Sequence, residues 1–283
     1  MWIRPWAVED TAEVAAITAS GELDVLWAQG RALFGPPRDG EHWRRTIVAE
    51  VDGMVVGAGA LLSPRFHPRR LWVYVEVSSA ARRRGIGAAL VAGLRDLAAA
   101  DGRPLRAKVR PRTPSAAFAV SLGLRRVLID SEIRRLRADR FPRPAGHARV
   151  VALDDPRVAE TYREFYRAAH PSDPPDRLTT DMVRESHLTA ATGAVLVSPE
   201  PGRPAGVALL IKDEGWTFTG GSTRPSAAGA PEVARELLCT IAAALPADTP
   251  LDVEVDDSMV DVRAACVDLG ATPVAHARVV AER

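Results

Sequence analysis

The pattern of apolar and polar positions changes period at Ser78. Before it, Trp72 to Val77 is a short apolar run rich in β-branched and aromatic residues, the composition of a buried strand. After it, apolar residues recur at Ile86, Leu90, Leu94 and Leu97, with alanines filling the gaps. That spacing predicts a helix with a broad apolar face, closed by Asp101-Gly102. Between strand and helix lie Arg82, Arg83, Arg84 and Gly85-Ile86-Gly87.

The same reading, applied in order, opens on a short strand at Ile3-Arg4-Pro5. A helix follows to about Ala19, capped by Asp10 or Thr11. A second helical stretch, Glu22 to Leu33, stops at Gly35-Pro36-Pro37. Thr46 to Val51 and Met54 to Leu62 form a hairpin around Asp52-Gly53, a strong tight-turn signal. Beyond the organising strand and helix, Leu105 to Val109 is a strand. Pro114 to Leu122 is a helix ended by Gly123, and Arg125 to Leu136 returns as a strand.

Residues 140–146 carry two prolines and a glycine without apolar periodicity and read as a linker. The chain then starts again. Val150 to Leu153 is a strand, and Asp154 or Asp155 caps a helix to about Ala169 whose Tyr162, Phe165 and Tyr166 share one face, for core packing or the lining of a pocket. Asp176 to Leu188 is helical. Ala194 to Val197, Val207 to Ile211 and Trp216 to Thr219 are strands. Glu232 to Leu245 is a helix, Leu251 to Val255 a strand, Ser258 to Leu269 a helix, and Pro273 to Val280 closes. Leu269-Gly270 stands 147 positions after Leu122-Gly123, so one domain length separates two copies of one element order. The expected domains are 1–139 and 147–283.

Composition narrows the class. A length of 283 residues, 47% of them apolar, suits two folded domains. Net charge is +1, which makes no electrostatic case for nucleic acid. No apolar run reaches membrane-spanning length, and Met1 to Asp10 lacks a signal-peptide core. Lysine occurs only at Lys108 and Lys212, so arginine is the general basic residue and single arginines carry little weight. Cys239 and Cys266 are isolated, and the six histidines show no ligand spacing. A cytoplasmic protein without disulfides or metal is expected.

The strand–helix junction is where chemistry becomes possible. Without a Cβ, Gly85 and Gly87 let the backbone approach a ligand. A helix beginning there leaves its first N–H groups unpaired at the positive end of its dipole, an anion site. Walker and dinucleotide loops are excluded: no lysine follows the glycines, and Leu90 fills the place of a third small residue.

The pattern V-x-x-x-x-R-x-x-G-x-G-x-x-L, through Val77, Arg82, Gly85, Gly87 and Leu90, resembles motif A of the GCN5-related N-acetyltransferase (GNAT) family. The element order resembles that family's α/β fold, and the stretch Phe118 to Leu124 resembles its helix end. The resemblance implies two tandem GNAT-like domains, with acetyl-CoA as acyl donor and the amine of a small molecule as acceptor. Backbone and side chains from Arg82, Arg83 and Arg84 through Gly85, Ile86, Gly87 and Ala88 would cradle the pyrophosphate. The pantetheine arm would pair with Val75 and Val77. A monomer or homodimer is expected, with no nucleic acid and no membrane as partner.

Two features depart from the family pattern. Ala119 replaces the tyrosine that often acts as general acid. In the second copy the loop reads Gly221 to Pro231, where Ser226 replaces the first arginine and Pro231 the second glycine. Only Gly229 is kept, so the cradle is expected to be lost there. The second domain would then serve to wall the acceptor cleft. For proton handling the candidates are Glu76, the one carboxylate inside the organising strand, and Tyr74; water-relayed deprotonation is the third route. Glu22, Asp24, Asp39 and Glu41 are the carboxylates placed to favour a cationic acceptor. Other acyl-CoA chemistry, or a CoA-binding sensor without turnover, are the rival readings.

Overall fold

The computed structural model describes residues 1–19, 33–137, 141–198, 203–213 and 215–283. The chain forms two compact units, one of Met1–Leu128 with Ala277–Arg283 and one of Ile129–His276. Both are sheets covered by helices, a mixed α/β architecture.

The first unit holds β1 (Trp2–Pro5), α1 (Thr11–Ala19), β2 (Arg44–Val51), β3 (Met54–Leu62), β4 (Leu71–Val77), α2 (Ile86–Leu97), β5 (Leu105–Val109) and α3 (Pro114–Ser121). The β2–β3 hairpin turns at Asp52 and Gly53, both at positive φ, as the sequence predicts. Strand alternation sorts the core. Ile47, Ala49, Leu61, Val73 and Leu105 pack beneath Ile86, Leu90 and Leu94 of α2. Val48, Val55 and Ala58 face the other way, toward Trp6, Val14 and Ile17. Leu90 and Leu94 are fully buried, and truncating either to alanine should cost about 2–5 kcal/mol.

Two boundary readings change. Asp10 does not cap α1. Its carboxylate accepts bonds from Arg4 at 2.8 and 2.7 Å and from the Ala7 N–H at 2.7 Å. Arg4 thereby holds it below the usual carboxylate range. Helix α2 stops at Leu97, one turn before Asp101, whose carboxylate instead binds Arg103. The expected helix over Glu22 to Leu33 falls almost wholly outside the described residues.

The second unit repeats the order with β7 (Ala148–Val151), α4 (Pro156–Ala169), α5 (Thr180–Ser186), β8 (Ala191–Val197), β9 (Gly206–Lys212), β10 (Trp216–Ser222), α6 (Ala230–Ala243), β11 (Pro250–Asp256) and α7 (Val260–Asp268). Asp155 caps α4 by accepting the Arg157 N–H. Tyr162 and Phe165 are buried, ring centroids 5.5 Å apart, so that aromatic face is core. Helix α5 begins later than its periodicity suggests, because the Thr179 side chain caps it.

The remaining strands are exchanged. β6 (Arg126–Arg137) pairs along most of its length with β11 of the second unit, from Ser131↔Asp256 to Arg137↔Pro250. The end of β12 (Thr272–Ala281) pairs with β5 of the first, from Arg278↔Val109 to Ala281↔Arg106. Sequence order assigns each strand to the opposite half. Register and side chains decide otherwise. Ile133 and Leu136 are buried, and Arg135 meets Asp252 at 2.7 Å. In the first unit Val280 and Ala281 are buried, and the Glu282 carboxylate accepts the Leu105 N–H at 2.8 Å.

Candidate acyl-donor groove of the first unit

The geometry of β4 sets the site. The Leu71 N–H bonds the Pro104 carbonyl and the Ser78 N–H bonds the Val56 carbonyl, each at 2.9 Å. Strand alternation then points the N–H and C=O of Val73, Val75 and Val77 away from β3, on the β5 side. β4 pairs with β3 from Leu62↔Trp72 to Gly57↔Val77. It pairs with β5 only at Leu71↔Leu105 and Trp72↔Arg106. The two parallel strands then splay, and the edge from Val75 to Val77 has no strand partner among the described residues.

At the mouth of this wedge the chain turns through Ser78 to Gly85. Arg83, at φ 64, and Gly85, at φ 81, both take the left-handed conformation. Gly85 is the N-cap of α2 and has no side chain to cap it. The first helical acceptor is its own carbonyl, taken by the Ala89 N–H at 3.0 Å. The N–H groups of Ile86, Gly87 and Ala88 therefore precede the first helical bond and have no acceptor among the described residues. Space around Gly85 is open, with nothing within 4 Å of a Cβ built there.

Gly87 is small for another reason than ligand approach. A Cβ on it would stand 3.0 Å from Phe118 Cζ, so it seats α2 against α3. Arg82, read from sequence as a charge beside the phosphate site, is exposed, and its Nε donates to the Val77 carbonyl at 2.9 Å. Val77 thus keeps only its N–H for a ligand, while Val75 keeps both groups. Arg83 and Arg84 are exposed beside the turn.

The two proton-handling candidates meet. The Tyr74 hydroxyl donates to Glu76 Oε2 at 2.5 Å, and both residues are buried. They lie two apart on one strand, so β alternation puts them on one face, opposite Val75 and Val77. Phe34 packs on Tyr74 with ring centroids 5.0 Å apart. Arg106 lies 4.3 Å over the Trp72 ring on the same face. Nothing in the sequence pattern singles out these last two contacts. Ala119 is buried in the α2–α3 core, and no hydroxyl replaces the absent tyrosine at that position. Of the acidic candidates, Asp39 is exposed and paired with Arg45, and Glu41 is exposed; Glu22 and Asp24 lie outside the described residues.

The second unit keeps the backbone of the turn but loses two of its three donors. Gly229 has φ 81 and ψ −3, the values of Gly85. The Ala230 N–H, however, is taken by the Ala227 carbonyl at 3.1 Å, and Pro231 has none. Glu232 adds a carboxylate to the first turn. A cavity of about 650 Å³ borders this loop, lined among others by Ser222, Arg224, Gly229 and Glu232. Among the described residues no cluster of histidine, cysteine, aspartate or glutamate is arranged to hold a metal. No described helix is long and apolar enough to cross a membrane.

The first unit thus joins a sheet splayed at the motif-bearing strand to an uncapped helix start at its mouth. Residues 21–124 match the acetyltransferase (GNAT) family. The whole chain is similar in fold to a GCN5-related N-acetyltransferase from Sphaerobacter thermophilus, with 17% identity, TM-score 0.68, and coverage of 99% of this chain and 95% of that one. It is also similar to a tandem GNAT protein from the clavulanic acid biosynthesis pathway, with 22% identity, TM-score 0.65, and coverage of 99% and 97%. A third likeness is to a putative acetyltransferase from Pyrococcus horikoshii, with 14% identity, TM-score 0.62, and coverage of 99% and 88%. No curated protein matches the sequence. The chain therefore has the tandem GNAT fold that its repeat suggests.

Proposed function

We propose that the protein is an acetyl-CoA-dependent N-acetyltransferase acting on the amine of a small molecule, with its active site in the first unit. The observation that carries the reading is the unpaired edge of β4 leading to the uncapped turn at Gly85. An extended pantetheine arm adds to such an edge as a strand does, through Val75 and the Val77 N–H. The pyrophosphate meets the N–H groups of Ile86, Gly87 and Ala88, with Arg82, Arg83 and Arg84 supplying positive charge at its rim.

The chemistry needs the acceptor as a free amine. Glu76, held by Tyr74, takes the proton from the ammonium. The amine nitrogen attacks the thioester carbon, and charge gathers on the carbonyl oxygen. A backbone N–H on the β4 edge stabilises that oxygen. The carbon–sulfur bond then breaks, and CoA leaves with a proton as the thiol.

The test is thiol release from acetyl-CoA in the presence of a panel of small amines. Turnover that depends on both the amine and Glu76 supports the reading. Tight acetyl-CoA binding without release for any amine would replace it with a CoA-binding sensor. Release only with longer acyl-CoA donors would replace acetyl transfer with another acyl transfer.

A further inference from the structure

The equivalent of β4 in the second unit is β10, and the two strands can be laid residue on residue. Val77 pairs with Gly57 of β3, and Ser222 pairs with Gly206 of β9. Ser78 bonds the Val56 carbonyl, and Thr223 bonds the Ala205 carbonyl, both at 2.9 Å. Ser222 therefore stands where Val77 does, with its N–H turned to the parallel neighbour. That neighbour also splays: β10 pairs with β11 only over Trp216 to Phe218.

In the first unit the gap is open to a ligand. In the second it is filled from within. The Ser222 N–H donates to Asp261 Oδ2 at 2.9 Å, both residues buried, with Asp261 only 1% exposed. Gly221 beside it is enclosed as well. A Cβ there would stand 2.9 Å from Val262 Cγ2 and 3.0 Å from Phe165 Cε2. Counted back from the shared Leu-Gly ends of α3 and α7, Asp261 takes the place of Pro114, which has no oxygen in its side chain to offer.

We infer that Asp261 closes the groove of the second unit to an acyl donor: its carboxylate occupies, on the Ser222 N–H, the place that a donor's oxygen takes on the Val77 N–H. The second unit is thus a copy carrying its own permanent occupant. Mass action on a groove already filled by an intramolecular carboxylate works against any entering arm, because the tethered group never dilutes. A buried N–H would otherwise be left without a partner, so the contact also explains why a groove without a ligand is stable there.

The inference rests on reading the β4 edge as the acyl-donor groove, and the test separates the two. Amide hydrogen exchange, resolved by residue with NMR on the full chain, is measured with and without acetyl-CoA. Ser222 is expected to be protected in both states and Val77 only when acetyl-CoA is present. In Asp261→Ala the Ser222 amide should exchange at least about tenfold faster, and Asp261→Asn, which keeps an acceptor oxygen, should restore protection. A wild-type Ser222 that exchanges freely, or gains protection only on adding acetyl-CoA, overturns the inference. An unresponsive Val77 beside a protected, Asp261-dependent Ser222 overturns the reading of the first unit and leaves the self-occupied second groove standing. Should Asp261→Ala fail to fold, the two wild-type states still decide.

Discussion

The Tyr74 hydroxyl and the Glu76 carboxylate share a 2.5 Å hydrogen bond on one face of β4. Sequence reading offers the two residues as rival proton handlers; the geometry makes them one unit. In the proposed reaction Glu76 accepts the proton and Tyr74 positions it. Glu76→Gln should lower kcat by about 10²–10⁴-fold, the range of a lost general base, and remove the acid limb of the pH–rate profile. Tyr74→Phe should lower kcat less, since the carboxylate stays on the strand and loses only the hydroxyl that positions it. Steady-state kinetics against pH read both. A Glu76→Gln profile identical to the wild type would reduce the pair to a buried structural contact.

The turn at Gly85 yields a second expectation. A side chain at φ 81 costs about 1–2 kcal/mol in the left-handed region, yet nothing stands within 4 Å to clash. Gly85→Ala should therefore fold, melt slightly lower, and bind acetyl-CoA more weakly as the turn relaxes. Gly87→Ala should act differently, through the 3.0 Å approach to Phe118, lowering the melting temperature more than the affinity. Calorimetric titration and melting curves on the two variants separate a donor turn from a packing contact.

Stability should depend on pH through His187. Burial, helped by the neighbouring His170, pulls its imidazole down to about 4, between the rings of Tyr162 and Tyr166 at 5.0 and 5.2 Å. Its ordinary value is 6.5, so below that pH the unfolded chain binds a proton that the native state refuses. The contribution is whole above about 6.5 and is lost as pH falls toward 4. Its size is roughly 3–4 kcal/mol at most, at about 1.4 kcal/mol for each pH unit. His187→Phe keeps the stacking and removes the titration. Its melting temperature should fall less between pH 7 and 5 than that of the wild type; equal slopes would show that other groups govern the acid side.

Much of this architecture is legible in the sequence because its signals are local. The β-branched and aromatic run of Trp72 to Val77 and period 3.6 from Ile86 identify the strand and helix, and Asp52-Gly53 marks its hairpin. The spacing of Leu122-Gly123 and Leu269-Gly270 reveals the repeat. What escapes is set by contacts far apart in the chain. That Gly87 answers to Phe118, or that Ser222 answers to Asp261, depends on tertiary packing with no trace in local pattern. The Tyr74–Glu76 pair lies between these cases. Alternation puts both side chains on one face, but burial on that face, not period, brings the hydroxyl onto the carboxylate.

The exchange of β6 and β12 leads to the last expectation. Local pattern shows that each is a strand but not which sheet it joins, and sequence order points to the neighbouring half. In the structure the sheet of the first unit is completed by residues from the far end of the chain. Arg278 to Ala281 form a ladder with Arg106 to Val109. The Glu282 N–H bonds the Leu105 carbonyl at 3.0 Å, and its carboxylate holds both the Leu105 N–H and Arg95. Val280 is part of the α2 core. Removing residues 278–283 would expose β5 as an edge and leave the underside of α2 open. The lost apolar burial of Val280 alone is about 1.5–3 kcal/mol, before the ladder bonds are counted. A chain ending at Ala277 should thus show a lower melting temperature and markedly weaker acetyl-CoA binding, although it keeps every residue from Tyr74 to Ala88. A fragment of residues 1–139 should fare no better, since its own β6 belongs beside β11. Calorimetric titration with acetyl-CoA on the two truncations and the full chain checks this. Full affinity in the 1–139 fragment would mean that β6 can close the first sheet by itself and that the exchange is dispensable.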